Sequence, residues 1–518
     1  MTTARLPAWP RPVAGGRRSS VATVFVVVAA SLVTASAAVG GNGNLIIVLA
    51  PFALAAGVWG VCVTPIRHTL FSMVFLCLAL DATGEGPWDS PLARFGALLG
   101  LNLNKSIPLS LLTFPGFALI LGFLLVIHIH RRLSGSMIDG ISRPNTPKPF
   151  LAALGASLVA VSVLVANGVR HGGDIQMAKS QVQFFVLLLL MSYLSAASLR
   201  GTRDYRILAK GIVAAACIKA AYALYVVQRF RQSYELANGE LAFATSHGDS
   251  LLFAFAIVIT VAQFGEQPSW RHGRWCVLAL PLLIAGTAAN NRRLAWVEIV
   301  AGLLVFVLIS RRTRLKRFFV HAMLLALPVF ATYVAVGWNS TAKVFAPIHI
   351  FRSVSDSEID PSTLYRETEN YNLLATLRLS PLIGTGFGRP FVETVKMGDI
   401  SFFKEYRYLP HNSILGLWAF TGAFGFTILS SPIVVGVYFA GRSYYAAQSA
   451  GQRVAAIMAI ATVAIYLVHC WGDIGFSERR SIFLVGPALA IAGQLAVSTG
   501  VWPKRGDPSV NGQRCHVG

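Results

Sequence analysis

Charge is scarce in this chain, and acidic charge is scarcer still. Only 13% of the 518 residues are Asp, Glu, Lys or Arg, with 22 acidic residues against 44 Lys and Arg. Ordinary soluble domains carry roughly 25% charged residues, so a soluble globular enzyme is excluded. Cysteine forms no pattern. Cys62, Cys77, Cys217, Cys276, Cys470 and Cys515 are scattered, without a C-x-x-C pair or companion histidines at ligand spacing, which excludes a disulfide framework and a zinc site. The chain also lacks a G-x-x-x-x-G-K-[ST] loop, an H-E-x-x-H helix and a G-x-S-x-G elbow. ATP-driven transport, zinc proteolysis and serine hydrolysis therefore have no support.

What the chain does have is apolar length: 55% of its residues are hydrophobic and the mean hydropathy is +0.61. A bilayer-crossing helix needs about 20 apolar residues. Runs of that kind lie at about 21–39, 45–63, 69–81, 107–128, 150–168, 181–199, 211–227, 250–264, 275–289, 294–310, 318–338, 412–440, 454–470 and 481–499. The expected fold is all-α and polytopic, with about 12–14 transmembrane helices. The first run is longer than the apolar core of a secretory signal and is read as an uncleaved span.

Orientation follows from the basic residues. With the N-terminus inside, the inner segments hold 25 Lys and Arg and the short outer loops 10. Cytoplasmic loops accumulate such residues, so both termini are expected to be cytoplasmic: a tail at 1–20, helices with short loops over 21–338, C-terminal helices over 412–499 and a tail at 500–518. The net charge of +22 reflects this topology and contact with membrane lipid, and not nucleic acid.

The remaining segment, 339–411, is an extracytoplasmic loop and the one large hydrophilic stretch. In DSEIDPSTLYRETENYNLLATLRLSP, Asp360 and Pro361 suit a helix start. Leu373, Leu374 and Leu377 make an apolar stripe that stops at Pro381. An amphipathic helix lying against the outer membrane face is expected there, with Arg366 in its first half and Arg378 near its end. The following PLIGTGFGRP has glycines at 384, 386 and 388, which permit a tight turn with an exposed backbone.

Polar residues that could carry chemistry gather at this same outer face. Arg292 and Arg293 sit in a tight turn between two spans, TAANNRRLAWVEI. They are either anchors at the membrane boundary or a site for an anionic ligand, since the charge rule disfavours them there. Arg366 is flanked by Glu367 and Glu369, as on a solvated helix face. His411 and Asn412 open an apolar span in LPHNSILGLWAFTGAFGF. A histidine titrates near neutrality and suits proton removal from a hydroxyl. His247 and Asp249, before the eighth span, complete this polar set. Deeper in the spans, Lys219 and Glu298 are costly unless paired or facing water, and pairing with each other is one solution.

Four features in order resemble the bacterial O-antigen ligase and polymerase family of membrane glycosyltransferases. They are the turn NNRRLAW, the external loop with a helix carrying Arg366, the turn PLIGTGFG, and HNSILGLWAFTGAFG opening the next span; together they cover about Ala288 to Phe426. The family's arginine turn reads Ser-Arg-small-Ala, so anchoring on Ala295 carries the arginine over to Arg293, with Arg292 as its rival. The resemblance implies catalytic roles for His411, Arg366 and Arg293; among the polar residues of the same outer face, Arg292, Asn412, Arg378 and Asp249 are candidate substrate contacts. It implies no metal and no cofactor. The donor would be an undecaprenyl-pyrophosphate-linked glycan and the acceptor a hydroxyl on a glycan or lipid, at the outer face of the bacterial cytoplasmic (inner) membrane. Ligase and polymerase are not separated by sequence. The rival from another class is a non-enzymatic transporter or flippase, which should place its polar groups at mid-membrane on broken helices.

Overall fold

The computed structural model describes residues 55–80, 91–103, 113–135, 145–234, 244–246, 248–311, 314–340, 361–397 and 403–503, with single positions at 138, 345 and 348. The chain divides into two units, Met1–Pro65 and Ile66–Gly518. Residues 55–63 of the first are helical; the expected span at 21–39, the tail at 1–20 and all of the tail at 500–518 beyond residue 503 lie outside the described residues, as does His247.

In the second unit the order is α1 (Ile66–Ala79), α2 (Pro91–Gly100), α3 (Gly116–Leu133), α4 (Lys148–Arg170), α5 (Ile175–Ser198), α6 (Thr202–Tyr234), α7 (Asp249–Glu266), α8 (Trp270–Ala289) and α9 (Arg293–Ile309). It continues with α10 (Arg314–Gly337), α11 (Pro361–Leu379), α12 (Ser413–Ala446), α13 (Ala450–Gly472) and α14 (Arg479–Ser498). Among the described residues nine helices are long and apolar enough to cross a membrane, and α1 and Leu324–Gly337 are shorter apolar helices. The protein is an all-α, polytopic membrane protein.

Helix starts follow local chemistry. Asp174 caps α5, accepting hydrogen bonds from the N–H groups of Gln176 and Met177 at 2.6 and 3.1 Å, and Ser449 and Gln452 form a reciprocal capping box on α13. Helices also run past their apolar stretches: the expected 211–227 became Thr202–Tyr234. Polar residues at span ends continue the helix into the interface, where hydropathy no longer marks it.

Packing sorts the helices into inner and outer sets. α14 is buried along nearly its whole length, against α5, α12 and α13. Small residues allow close approach: Gly302 of α9 meets Val258 and Ile465, and Gly286 of α8 meets Ala220 of α6. On α9, Val300, Leu304 and Leu308 are exposed at every fourth position. An outward apolar stripe suits lipid and not water.

Candidate functional site

Residues 381–388 and 420–424 build one interlocked backbone unit. α12 is broken at Gly422, whose φ is 61° and ψ −174°. The groups freed by this break are taken up by the preceding turn: Gly386 N–H donates to the Phe420 carbonyl at 2.8 Å, and Ala423 and Phe424 N–H donate to the Pro381 and Leu382 carbonyls at 2.8 and 3.1 Å. Unpaired backbone is not tolerated at membrane depth unless protein covers it. The φ values of 76°, 86° and 90° at Gly384, Gly386 and Gly388 are what let the turn fit, since L side chains rarely adopt them. Its far side rests on α4 and α5: Phe387 N–H donates to the Leu164 carbonyl at 3.2 Å, and Gly388 N–H to Gln181 Oε1 at 2.6 Å. The turn expected to expose its backbone is therefore a buried joint.

α11 is held to the same joint by a polar face. Asn372 accepts from the N–H groups of Thr394 and Val395, each at 2.9 Å, and donates to the Val395 carbonyl at 2.8 Å. Thr376 Oγ1 accepts from Val392 N–H at 2.8 Å. Leu373 is buried, but Leu374 is 43% exposed. The helix is thus anchored on protein largely through Glu369, Asn372 and Thr376, and not through the leucine stripe alone.

The tripeptide His411-Asn412-Ser413 joins α11 to the end of the bundle. Glu369, 1% exposed, accepts the His411 backbone N–H at Oε2 (2.9 Å) and faces His411 Nδ1 with Oε1 (3.3 Å). Asn412 donates to Asn370 Oδ1 at 3.1 Å and caps α12 by accepting from Leu415 N–H at 3.1 Å. Ser413 Oγ donates to the Asp473 carbonyl at 3.3 Å and accepts from Phe476 N–H at 3.4 Å. Tyr365, one turn before Glu369, sets its ring edge-on to His411, with centroids 5.7 Å apart. Burial, then the charge of Glu369 and the neighbouring Tyr406 and Glu393, pushes the Tyr365 phenol well above its ordinary pKa.

His411 lines a polar cavity of about 440 Å³, together with Gln183, His469, Asp473, Glu478, Arg479 and Arg480. Behind this wall is a buried ion network. Asp249 faces Lys219 at 3.4 Å and Arg480 at 2.9 Å, and Glu478 pairs with Arg480 at 3.1 Å. Burial would raise the Glu478 carboxyl, but Arg480, His469 and Arg479 outweigh it and hold the pKa below the ordinary value. Glu298 pairs with His469 at 2.7 Å. Lys219 and Glu298 therefore do not pair with each other: each finds an opposite partner on another helix, Lys219 on α7 and Glu298 on α13.

Of the residues singled out from sequence, His411 lines the cavity. Asp249, read as a substrate contact, is fully buried behind it and orients Arg480. Arg366 is exposed on α11, one turn before Glu369, and Arg378 is exposed in the last turn. Arg292 is the half-buried N-cap of α9 and Arg293 its exposed first residue. Their turn is built by Asn290, which accepts from Thr245 N–H at 3.0 Å and donates to the Ser246 carbonyl at 3.2 Å, and by Asn291 at φ 49°. Leu294 packs on Gly472, which sets this turn beside the segment carrying Asp473.

The family model described as O-Antigen ligase matches residues 278–430. That part of the chain is similar to O-antigen ligases. That stretch runs from α8 through the break in α12 and contains Arg292, Arg293, Arg366, Arg378, His411 and Asn412. No protein of curated function matches the chain. The cavity also draws on residues beyond the matched stretch, at Asp473 and Glu478–Arg480. Sequence reasoning passed over these and over Glu369. The available signal was the density of ionisable residues in GDIGFSERR, a short connection between two spans.

Proposed function

We propose that the protein transfers a glycan from an undecaprenyl-pyrophosphate-linked donor to a hydroxyl of a glycan or lipid acceptor, at the outer face of the bacterial inner membrane. The observation that carries this reading is the position of His411 in the stretch similar to O-antigen ligases, on the wall of a polar cavity it shares with Arg479 and Arg480. A cavity of this size admits a sugar and its phosphate. The imidazole takes the acceptor hydroxyl proton; the acceptor oxygen bonds to the anomeric carbon as the bond to the pyrophosphate oxygen breaks, and the undecaprenyl pyrophosphate leaves with that electron pair. Attack opposite the leaving group inverts the anomeric centre.

Arg293 and Arg366 hold the pyrophosphate. Guanidinium groups bond phosphate oxygens in pairs, each charge-assisted bond contributing roughly 1.5 to 3 kcal/mol, and they stabilise charge that grows as the sugar bond breaks. With an activated donor clamped in this way, the reaction requires no metal. A ligand-sized polar cavity at one end of the helices fits surface chemistry better than a mid-membrane transport path.

The test is complementation of a strain lacking this gene, read as glycan on a gel with membrane abundance checked by blot. His411→Ala should reduce transfer by roughly 10² or more at normal abundance, and Lys at 293 or 366 should restore activity only in part, because an ammonium lacks the two-pronged contact. Near-normal glycan from His411→Ala would remove the base assignment. Transfer by purified protein should survive EDTA. Orientation is read by impermeant maleimide on intact cells carrying a single cysteine at Lys396, expected outside, or at Gln448, expected inside; labelling of Gln448→Cys alone would reverse the topology.

A further inference from the structure

We infer that Glu369 is the positioning residue for His411, fixing the ring's tautomer and direction so that Nε2 is the basic nitrogen presented to the acceptor hydroxyl. The inference rests on the reading of His411 as base. Glu369 was flanking charge in the sequence, no different in type from Glu367. In the structure Glu367 is exposed and Glu369 is 1% exposed.

A carboxylate removed from water needs donors on both oxygens. Among the described residues, the partners of Glu369 are both groups of one residue: the backbone N–H of His411 on Oε2 and its Nδ1 on Oε1. A helix-linking contact would be satisfied by the backbone bond alone. The second oxygen, an acceptor only when ionised, requires a proton on Nδ1, and a neutral imidazole then carries its lone pair on Nε2. The Tyr365 ring, edge-on at 5.7 Å, restricts rotation from another side. The hydrogen bond between Asn412 and Asn370 (3.1 Å) repeats the grip one residue on, so the base cannot drift along α11.

α11 carries two functions on adjacent turns. Arg366 stands one turn before Glu369, so the helix that offers a cation to the pyrophosphate also seats the base. Donor binding and base alignment share one rigid element.

The experiment compares two substitutions that oppose shape and chemistry. Glu369→Gln keeps the volume but offers an amide N–H to one of the two His411 donors; if the oxygen stays on the backbone N–H, Nδ1 must accept and Nε2 carries the proton. Glu369→Asp keeps the carboxylate but is one methylene short. Turnover is measured on purified full-length protein in nanodiscs, with undecaprenyl-pyrophosphate glycan and acceptor extracted from the deletion strain. Glu369→Gln should lower kcat by on the order of 10² to 10³ with donor KM little changed, as expected for a wrong tautomer. Glu369→Asp should recover a substantial part of that loss. Glu367→Gln should match wild type. In a His411→Ala background, Glu369→Gln should have no further effect.

A Gln variant more active than the Asp variant, or a full additive loss on top of His411→Ala, would overturn the inference and assign Glu369 to the packing of α11. Near-normal kcat from Glu369→Gln with inactive His411→Ala would overturn it while leaving the base in place. Activity in His411→Ala itself would instead remove the underlying reading.

Discussion

At one end of the helical bundle, Glu266 accepts the Tyr444 hydroxyl at 2.7 Å and the Arg453 guanidinium at 2.7 Å, and Tyr444 in turn accepts the Arg311 N–H at 2.7 Å. At the other end, Lys219, Asp249, Arg480 and Glu478 form an equally buried chain of alternating sign. The first network closes on itself, and the nearby space between α6 and α13 holds about 30 Å³. The second network stops at the wall of a 440 Å³ cavity. Buried ion pairs by themselves are weak evidence of function, since desolvation offsets most of their attraction. What separates the two ends is that one network holds charged side chains at the edge of a ligand-sized space that His411 also lines.

The widest contrast should come from removing one arginine at each end. Arg480→Met removes the cation shared by Asp249 and Glu478 and leaves Asp249 with Lys219 alone, and breaking such a buried pairing costs about 3 to 5 kcal/mol. Thermal unfolding in detergent should show that loss, and glycan transfer should vanish with the cavity wall. Arg453→Met leaves Glu266 with its tyrosine bond, costs about 1 to 3 kcal/mol, and should spare transfer. Equal loss of transfer from both would mean that the two ends do not differ in role.

Next in size is the joint beneath the site. Gly386→Ala forces an L side chain to a φ of 86° and drives a methyl into the backbone of Gly168. Strain of this kind costs about 1 to 3 kcal/mol, and unfolding should report it before the collision is counted. An unchanged melting temperature would show that the turn can leave the α12 break without consequence.

A smaller effect depends on pH. The Glu478 carboxyl titrates below its usual 4.5 in the folded protein, so ionisation favours the fold. Its contribution is complete above the unfolded value and is lost as pH falls through the lowered folded value. Stability measured from about pH 7 to 5 should therefore leave this contribution unchanged, with the loss confined to roughly pH 5 to 3. Glu478→Gln should flatten that acid limb. An acid limb as steep as that of wild type would place the responsible carboxylates elsewhere.

The smallest expected change in stability is Tyr365→Phe. The phenol oxygen is buried and makes no hydrogen bond among the described residues, so deleting it should leave the melting temperature within error or raise it slightly. A clear destabilisation would show that the oxygen has a partner in the folded protein.

The helices and their polar end were legible in the sequence because apolar length and tight basic turns are local properties. His411, Arg366 and the NNRRLAW turn could be singled out for the same reason. Glu369 could not: Glu367 and Glu369 have the same chemistry and differ only in which side of α11 meets His411, 42 residues later. The pairing of Lys219 and Glu298 failed for a related reason. Each had to be matched across helices, and Asp249 and His469 lie on α7 and α13, which no single window of sequence relates to α6 and α9. The GTGFG turn looked open because its glycines mark backbone freedom, while the partner that fills the space, the break at Gly422, is coded thirty-six residues downstream of Gly386.

That break also bears on how the protein is made. The Phe420 carbonyl and the Ala423 and Phe424 N–H groups on either side of Gly422 find their partners at Gly386, Pro381 and Leu382, and the turn in turn rests on Leu164 and Gln181. Every one of these partners is synthesised before Gly422. As α12 leaves the ribosome and enters the bilayer, the groups that its break exposes meet acceptors and donors already in place, and no later segment is needed to complete them.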